Sequence, residues 1–177
     1  MWEKYIKLPK FLRISSRDVE ETIMSINLKK GEKVLDFGCA YGRISLFLKN
    51  QGYYVIAIDN NKKMVKFTKN LGLRTFLMDA TRLGLKENSF NLIVTDGLLE
   101  HFKIPDKILN RESKVTEKYV VNFIPQNTKM NRILEVFQRT PKVYWRSKKQ
   151  WLRIHKKYFK KVHAKKLLRL EAYICEK

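Results

Sequence analysis

Short apolar runs and helical patterns alternate along the middle of the chain. Five runs rich in branched or aromatic side chains predict buried strands: residues 33–35, 54–58, 74–78, 90–94 and 117–124. Apolar residues at helical spacing follow the first two runs, over residues 44–48 and 64–67, and glycines separate the segments. This alternation of strand and helix predicts an α/β fold built on a mostly parallel sheet.

A further helix is predicted ahead of the first strand. Ser15 and Ser16 precede acidic residues and a helical apolar pattern that ends before Gly31, which is typical of a capped helix. Residues 1–14 mix aromatic with basic side chains. We expect this arm to pack over the core, and Tyr5 and Arg13 are the residues to test for the alternative role, a lid over a ligand cleft.

The last third of the chain has two interpretations. Residues 130–137 have helical spacing, and Pro141 ends that helix. Residues 142–159 then interleave aromatic with basic side chains, a composition suited to phosphate contact and base stacking. Equally, these aromatic residues fit the buried face of a final helix, with residues 162–174 forming an antiparallel hairpin at the sheet edge.

Length and composition indicate one domain. The chain has 177 residues, of which 44% are hydrophobic, enough for a single core. Its first residues are charged and no apolar run approaches the length of a membrane span, so we expect no signal peptide, no membrane span and a cytoplasmic protein. The two cysteines, Cys39 and Cys175, predict neither a disulfide framework nor a zinc site, and we expect no metal.

The charge of the chain is strongly positive, with a formal net value of +21. Residues 126–177 contain 16 lysines and arginines against three glutamates. Such a field favours anionic partners, among them RNA, DNA, acidic proteins and anionic membrane surfaces, and charge alone does not select among them. If RNA is the partner, we expect Lys148, Lys149 and Arg153 to contact it; a lysine-rich solvated surface is the alternative.

A glycine turn joins the first predicted strand to its helix. Residues 36–42 read D-F-G-C-A-Y-G, and the next strand ends in Asp59, 21 residues beyond Gly38. An acidic residue at that distance can meet the hydroxyl pair of a ribose, which indicates a nucleoside-bearing cofactor. Arg43 stands where a dinucleotide turn needs its third glycine, and no G-K-[ST] follows. These features argue against an NAD site and exclude a phosphate-binding loop.

The turn and three later segments resemble the class I S-adenosylmethionine-dependent methyltransferases, and within them the type 11 group. The later segments follow in the order and spacing of that group: residues 59–61, 76–83 and 86–95. The resemblance covers roughly residues 34–125. It implies a single Rossmann-like methyltransferase domain over residues 1–177, with a doubly wound, mostly parallel seven-stranded sheet and an antiparallel strand at the C-terminal edge. Residues 1–30 are then the N-terminal arm and helix, and the basic, aromatic segment 126–160 lies near the substrate side.

The resemblance also implies a site for S-adenosylmethionine. In it Asp36 faces the methionine end, Asp59 holds the ribose hydroxyls, and Asn60 lies against the adenine. Asp79 and the backbone of Ala80 read the adenine edge. The turn beneath the nucleoside is formed by Gly38, Ala40, Tyr41 and Gly42, where Ala40 replaces the family's central glycine and Tyr41 replaces a small residue.

Residues 96–101 are implied to form a lip near the transferred methyl group. Asp96 joins the cofactor-binding residues, and Glu100 or His101 is a candidate to orient a substrate or accept a proton. A structural role for His101 is the alternative. Methyl transfer to a well-positioned nucleophile needs no strong base, so the site can work without one.

The absence of two motifs narrows the class of methyl acceptor. The fourth strand is followed by Thr95-Asp-Gly-Leu98 and not by N-P-P-[YF], the similar stretch 122–125 ends the fifth strand instead, and no Pro-Cys or Thr-Cys pair is present. Methylation of exocyclic base amines and of cytosine C5 is therefore not expected. We expect a methyltransferase acting on a small molecule or a protein. The alternatives are an RNA methyltransferase, and a cofactor-binding or nucleic-acid-binding protein without transferase activity.

Overall fold

The protein folds around one seven-stranded sheet. The structure, a computed structural model, describes residues 16–81, 84–138 and 141–177. The strands of the sheet are β1 (Lys33–Phe37), β2 (Tyr54–Asp59), β3 (Thr75–Leu77), β4 (Phe90–Asp96), β5 (Thr116–Pro125), β6 (Lys161–Lys166) and β7 (Leu170–Glu176). Their spatial order is β3-β2-β1-β4-β5-β7-β6.

Helices connect the strands on both faces of the sheet. Those in the described residues are α1 (Ser16–Met24), α2 (Arg43–Asn50), α3 (Lys62–Asn70), α4 (Asp106–Val115), α5 (Lys129–Gln138) and α6 (Lys148–His155). A single 3-10 turn, Leu99–His101, follows β4.

The sheet is parallel from β3 through β5 and antiparallel at its C-terminal edge. β7 runs antiparallel to β5, and β6 runs antiparallel to β7. The chain winds from β1 outward to β3 and then crosses to the other side of β1 to form β4. Ligands of such sheets bind where the winding reverses, beyond the carboxyl ends of the strands, so the loops after β1 and β4 are the expected site. The predicted Rossmann-like fold is confirmed.

Two apolar cores lie on opposite faces of the sheet, because successive strand residues point to opposite sides. Val34 of β1 packs in the core formed with α1 and α2. Leu35, its neighbour, packs in the core formed with α4 and α6. Trp151 and Phe159 belong to this second core, where Trp151 is 2% exposed. For these two aromatic residues, the interpretation as a buried face is therefore the correct one.

Most predicted elements differ from the observed ones by one or two residues at their ends. β1 extends beyond the predicted stretch to include Asp36 and Phe37. The predicted hairpin after α6 is present as β6 and β7. The predicted helix ahead of β1 is α1, which begins at Ser16 in the described residues. Ser15, like Tyr5 and Arg13 of the arm, lies outside them.

Candidate active site

The turn after β1 is built from left-handed residues. Gly38 has φ 81°, Ala40 φ 44° and Gly42 φ 74°. Gly38 and Cys39 donate backbone hydrogen bonds to the carbonyl of Ile58 at 2.9 and 3.0 Å, which ties the turn to β2. Glycine reaches this region without strain, whereas Ala40 occupies it at some cost.

The two glycines of the turn have different neighbours. A Cβ on Gly42 would lie 2.7 Å from Leu73 Cδ1 and 3.0 Å from Thr68 Cγ2, so this glycine lets the start of α2 pack closely against α3 and the segment that follows it. A Cβ on Gly38 would lie 3.2 Å from Leu98 Cδ1, a lip residue. The resemblance placed both glycines in the turn beneath the nucleoside; close packing is the constraint that the structure shows at Gly42.

Asp59 stands at the carboxyl end of β2 in a fixed conformation. Its Oδ2 accepts a bond from the Ala40 N–H at 2.9 Å, and its Oδ1 accepts one from the Asn61 N–H at 2.8 Å. A carboxylate oxygen has two lone pairs, so each of these atoms can accept one further hydrogen bond. The pair of acceptors matches the two hydroxyls of a ribose.

Asp36 lies beneath the turn. It is 2% exposed, and its Oδ2 accepts a hydrogen bond from Ser45 Oγ at 2.5 Å. Burial raises the pKa of the Asp36 carboxyl to about 6, with the Ser45 bond acting in the opposite direction. The assignment of Asp36 to the methionine end of a cofactor stays a prediction. In this structure the carboxyl is buried and hydrogen-bonded to Ser45.

An ion pair links the start of α2 to the end of β4. Arg43, the first residue of α2, donates from Nη2 to Asp96 Oδ2 at 2.6 Å. Asp96 ends β4, and both side chains are partly exposed. Sequence reasoning named Asp96 but missed its partner. The sequence held only a general signal: a cation in the first turn of a helix is unfavourable with the helix dipole, so a nearby anion of unspecified identity is favoured.

The remaining predicted cofactor residues surround this centre. Asp79 follows β3, and its Oδ1 accepts bonds from the N–H and the hydroxyl of Thr81 at 2.7 and 2.8 Å. The side chain of Ala80 is buried in the core, and Asn60 is exposed just after β2. Tyr41 packs edge-on against Phe67 of α3, with ring centroids 5.3 Å apart, which explains how the turn accepts a large residue there.

The lip places its two titratable residues differently. Glu100 is buried, and within the described residues its Oε2 has no hydrogen-bond partner. Burial raises the pKa of the Glu100 carboxyl to about 8. His101 Nδ1 donates to the carbonyl of Lys142 at 3.1 Å, and burial lowers the pKa of its ring. At neutral pH Glu100 is therefore a neutral acid, and His101 is a neutral base with Nε2 as its acceptor atom.

Part of the segment 126–160, which the resemblance placed near the substrate side, holds the lip. The strap, residues 141–147, connects α5 to α6 and runs past the lip. Its Tyr144 N–H donates to the Glu100 carbonyl at 2.8 Å. Arg146 donates from Nη2 to the carbonyls of Phe102 and Lys103 at 3.1 and 2.8 Å, while its guanidinium lies 4.8 Å from the centre of the Trp151 ring. Arg146, which adds to the basic character of the sequence, is thus a structural residue.

The structure separates the predicted nucleic-acid residues from the aromatic ones. Lys148, Lys149 and Arg153 are exposed on α6. Trp151 is buried below them, and the indole N–H of Trp145 is bound to Glu135 Oε2 at 2.8 Å. The predicted combination of phosphate-binding cations with free stacking rings is therefore not present on this face.

Comparison with known proteins agrees with this geometry. The model of the family described as "Methyltransferase domain", type 11, matches residues 35–119. Residues 35–119, slightly less than half of the chain, thus match the type 11 methyltransferase family. The match runs from β1 to the beginning of β5, and so includes the glycine turn, Asp59, Asp79 and the lip.

Curated relatives match the same central part. The TehB protein of Haemophilus influenzae (strain 10810), named "Probable S-adenosyl-L-methionine-dependent methyltransferase", is 34% identical over 89 residues, which cover 45% of this chain and 31% of TehB. The "Uncharacterized methyltransferase C70.08c" of Schizosaccharomyces pombe is 26% identical over 84 residues, covering 45% of this chain and 32% of the relative. The match thus spans about a third of the length of these relatives.

Solved structures of similar fold cover nearly the whole chain. The PH0226 protein of Pyrococcus horikoshii OT3 superposes with a TM-score of 0.76 at 16% identity, over 90% of this chain and 88% of that protein. Magnesium protoporphyrin IX methyltransferase of Synechocystis PCC 6803, with bound SAH, superposes with a TM-score of 0.70 at 15% identity, over 90% and 80%. At such identities these likenesses show the methyltransferase fold.

The stability of the protein should fall as pH rises from about 6.5 to 8. Burial raises the pKa of Glu100 and of Glu112 from 4.5 to about 8. The contribution of each carboxyl to the unfolding free energy is therefore fully present below its pKa in the unfolded state, and is lost as pH rises through its pKa in the folded state. Each group should change the unfolding free energy by about 1.4 kcal/mol per pH unit in this window. Denaturant melts of the wild type and of Glu112→Gln would measure this, since glutamine does not titrate.

The contribution of His155 to stability has the opposite sign. Burial lowers the pKa of His155 from 6.5 to about 4. Its contribution to the unfolding free energy is therefore present above its pKa in the unfolded state, and is lost as pH falls through its pKa in the folded state.

A wild-type protein whose unfolding free energy is equal at pH 6.5 and pH 8 would contradict the assignment of Glu100 and Glu112 as buried neutral acids.

Proposed function

We propose that this protein is an S-adenosylmethionine-dependent methyltransferase. The observation that carries the proposal is Asp59: both its carboxylate oxygens are fixed by backbone N–H groups of the loops around the site, and both keep one acceptor position. A ribose hydroxyl pair fits such an acceptor. The glycine turn beside it, the family match of residues 35–119 and the names of the TehB relatives support the same cofactor.

The other residues of the site fit the rest of that cofactor. In this proposal Asp79, just after β3, is on the side of the adenine. The ion pair of Arg43 and Asp96 is on the side of the amino-acid end of the cofactor. When bound, S-adenosylmethionine would supply a methyl group to an acceptor nucleophile, with S-adenosylhomocysteine as the leaving group. The lip and the strap position that acceptor and exclude water. His101 Nε2 can take a proton from the acceptor, whereas Glu100, neutral at pH 7, can donate a hydrogen bond to it.

The class of acceptor is the open part of the proposal. A small molecule or a protein is the preferred acceptor, because the aromatic residues that would stack on RNA bases are buried or bound within the protein. RNA methylation is the second candidate, and the exposed cations Lys148, Lys149 and Arg153 favour it. A binding protein without transferase activity is the third.

Two experiments test the function. Calorimetry should detect binding of S-adenosylmethionine or S-adenosylhomocysteine and no binding of NAD. Incubation with methyl-labelled cofactor and fractionated cell extract should then transfer label to one pool among RNA, protein and small molecules. Binding of NAD in place of S-adenosylhomocysteine would overturn the proposal, and cofactor binding without transfer to any pool would favour the binding protein.

Asp59→Ala should weaken the binding of S-adenosylhomocysteine by about 1.5 to 3 kcal/mol, because charge-assisted hydrogen bonds to two hydroxyls are lost. Calorimetry measures the affinity, and thermal unfolding shows how far loss of the Ala40 and Asn61 bonds affects the fold. Asp106→Ala is the matched control, since Asp106 is also a partly exposed carboxylate that accepts hydrogen bonds, from Lys157 and Tyr158. Equal affinities of the two variants would show that the ribose is held elsewhere.

We further expect Arg43 and Asp96 to bind the amino-acid end of the cofactor, since a guanidinium suits an α-carboxylate and a carboxylate suits an α-ammonium group. Arg43→Gln should weaken S-adenosylhomocysteine binding about 10- to 100-fold. Binding of 5′-methylthioadenosine, which lacks the amino-acid end, should not change. If both ligands lose affinity equally, the ion pair is a structural element of the lip and not a ligand contact.

A further inference from the structure

Four exposed aliphatic side chains lie where the carboxyl edge of the sheet meets α5. Met130, Ile133 and Val136 are spaced three residues apart on this helix and are 58%, 53% and 76% exposed, so they share one side of it. Leu168, 71% exposed, lies in the turn between β6 and β7. We call these four residues the apolar patch.

Hydrogen bonds hold the β6–β7 turn against the start of α5. Asn131 Nδ2 donates to the carbonyl of Arg169 at 3.0 Å, and the Arg169 guanidinium donates twice to Asn131 Oδ1, at 3.1 and 3.0 Å. Gln126 Nε2 donates to the carbonyls of Leu167 and Leu170 at 2.7 and 2.8 Å. Leu168 therefore lies in a turn that is fixed to the start of α5.

The patch is not accounted for by packing within the described part of the chain. Among the described side chains of α5, none belongs to either core cluster, although Asn131 and Leu134 are buried locally. A soluble surface does expose single aliphatic residues, but a cluster of four on neighbouring elements marks an interaction site.

Cations flank the patch. Lys129 begins α5, and Lys148 and Lys166 line a depression together with residues 126–128, which lead into that helix, and with Ser147 and the acidic Glu171. None of these three lysines forms an ion pair with another described residue. Aliphatic side chains surrounded by lysines are the composition of surfaces that enter the headgroup region of an anionic bilayer.

The chemistry of the patch favours lipid over nucleic acid. Single-stranded nucleic acids are held by exposed aromatic rings next to cations, but here Trp151 is buried and Trp145 is hydrogen-bonded to Glu135. The four residues of the apolar patch are aliphatic, which suits acyl chains. In the described residues no helix is long and apolar enough to cross a membrane, so any such contact is peripheral.

We propose that the apolar patch and its flanking lysines bind the protein to the surface of an anionic membrane. This inference goes beyond the proposed methyl transfer and does not depend on it. In this orientation α5 and the β6–β7 turn enter the interface, and the carboxyl edge of the sheet, with the lip, faces the bilayer. The high positive charge of residues 126–177 then acts with the patch, because electrostatic attraction and apolar burial add in interfacial binding.

Vesicle sedimentation tests the proposal with the full chain. The wild type should sediment with vesicles of phosphatidylcholine mixed with phosphatidylglycerol, bind phosphatidylcholine alone weakly, and release as salt is raised. The double variant Ile133→Ser with Val136→Ser should lose about tenfold or more in partitioning, since two aliphatic insertions are removed. Met24→Ser with Leu71→Ser is the matched control: these residues are also exposed, but Met24 lies on α1 and Leu71 directly after α3.

A second pair of variants separates the contribution of charge. Lys148→Glu with Lys166→Glu should weaken vesicle binding more than Lys86→Glu with Lys114→Glu, although both pairs change the net charge equally. Unfolding midpoints check that all the variants fold, as expected for exposed positions.

Each other occupant of the patch gives a distinct result that overturns the proposal. Equal partitioning of the patch and control variants, or no binding to anionic vesicles, would remove the membrane role. RNA binding that depends on the patch, or a dimer in sedimentation equilibrium that is lost in the Ile133 and Val136 variant, would assign the surface to RNA or to a second copy. If vesicles bind only after removal of residues 1–15, the occupant is the chain's own N-terminal segment.

Discussion

Asn122→Ala is expected to destabilise the protein by about 3 to 5 kcal/mol, because several buried polar groups would lose their partner at once. Asn122 Oδ1 accepts from the Thr95 hydroxyl at 2.7 Å. Its Nδ2 donates to Glu112 Oε2 at 3.1 Å and to His155 Nε2 at 3.2 Å. All of these residues are fully buried. The amide thus joins β4, β5, α4 and α6 directly below the lip.

Chemical denaturation measures this loss, with Asn91→Ala as the control. Asn91 also makes two side-chain hydrogen bonds, accepting from the Lys33 N–H at 2.9 Å and donating to Glu117 Oε2 at 2.8 Å. Its bonds lie at the protein surface, where water can replace the lost partner, so its removal should cost about 1 kcal/mol or less. Similar losses in the two variants would show that the Asn122 cluster is not a cooperative network.

Trp151→Ala is the second change with a large expected effect, a loss of about 3 to 5 kcal/mol of unfolding free energy. Trp151 is 2% exposed in the core beneath α6. Its ring packs near His155 and Tyr173, at centroid distances of 6.0 and 6.4 Å, and supports the Arg146 guanidinium that holds the lip. The variant should therefore lose both core packing and the anchor of the strap.

Trp145→Ala provides the comparison for Trp151. Trp145 is half-buried, and its indole N–H donates to Glu135 Oε2 at 2.8 Å. The Arg132 guanidinium carbon lies 5.9 Å from the centre of the Trp145 ring. Losing one hydrogen bond and one exposed cation–π contact should cost about 1 to 2 kcal/mol. If Trp145→Ala were the more destabilising variant, the strap and not α6 would be the principal support of the lip.

Local pattern was sufficient to predict the sheet and its ligand edge. Strands β1 to β5 are runs of buried branched residues separated by glycine and polar turns, and both features are readable along the chain. Asp59 was predicted at the end of β2 from its spacing to the glycine turn, and the resemblance added Asp79 and Asp96 at the same carboxyl edge of the parallel strands. The glycine turn was predictable since its left-handed backbone restricts which residues are accepted.

Contacts between distant segments could be decided only by the tertiary structure. Nothing in the local sequence states that Ser45 seals Asp36, that Arg43 pairs with Asp96, or that Leu98 lies over Gly38. These pairs depend on how helices and loops meet across the sheet, and residue type alone leaves many partners open. The pKa values of Glu100 and Glu112 depend likewise on burial that chain position does not reveal.

The basic C-terminal third shows the same division most clearly. Composition determined its charge and its apolar content. That composition is compatible with aromatic rings that are buried in the core and equally with rings that are exposed for stacking. Folding decided between them: α6 turns Trp151 inward, the strap uses Arg146 to hold the lip, and α5 leaves Ile133 and Val136 exposed. A helix with apolar residues around much of its circumference can bury only the side that meets the protein, so which residues remain outside depends on the neighbouring elements.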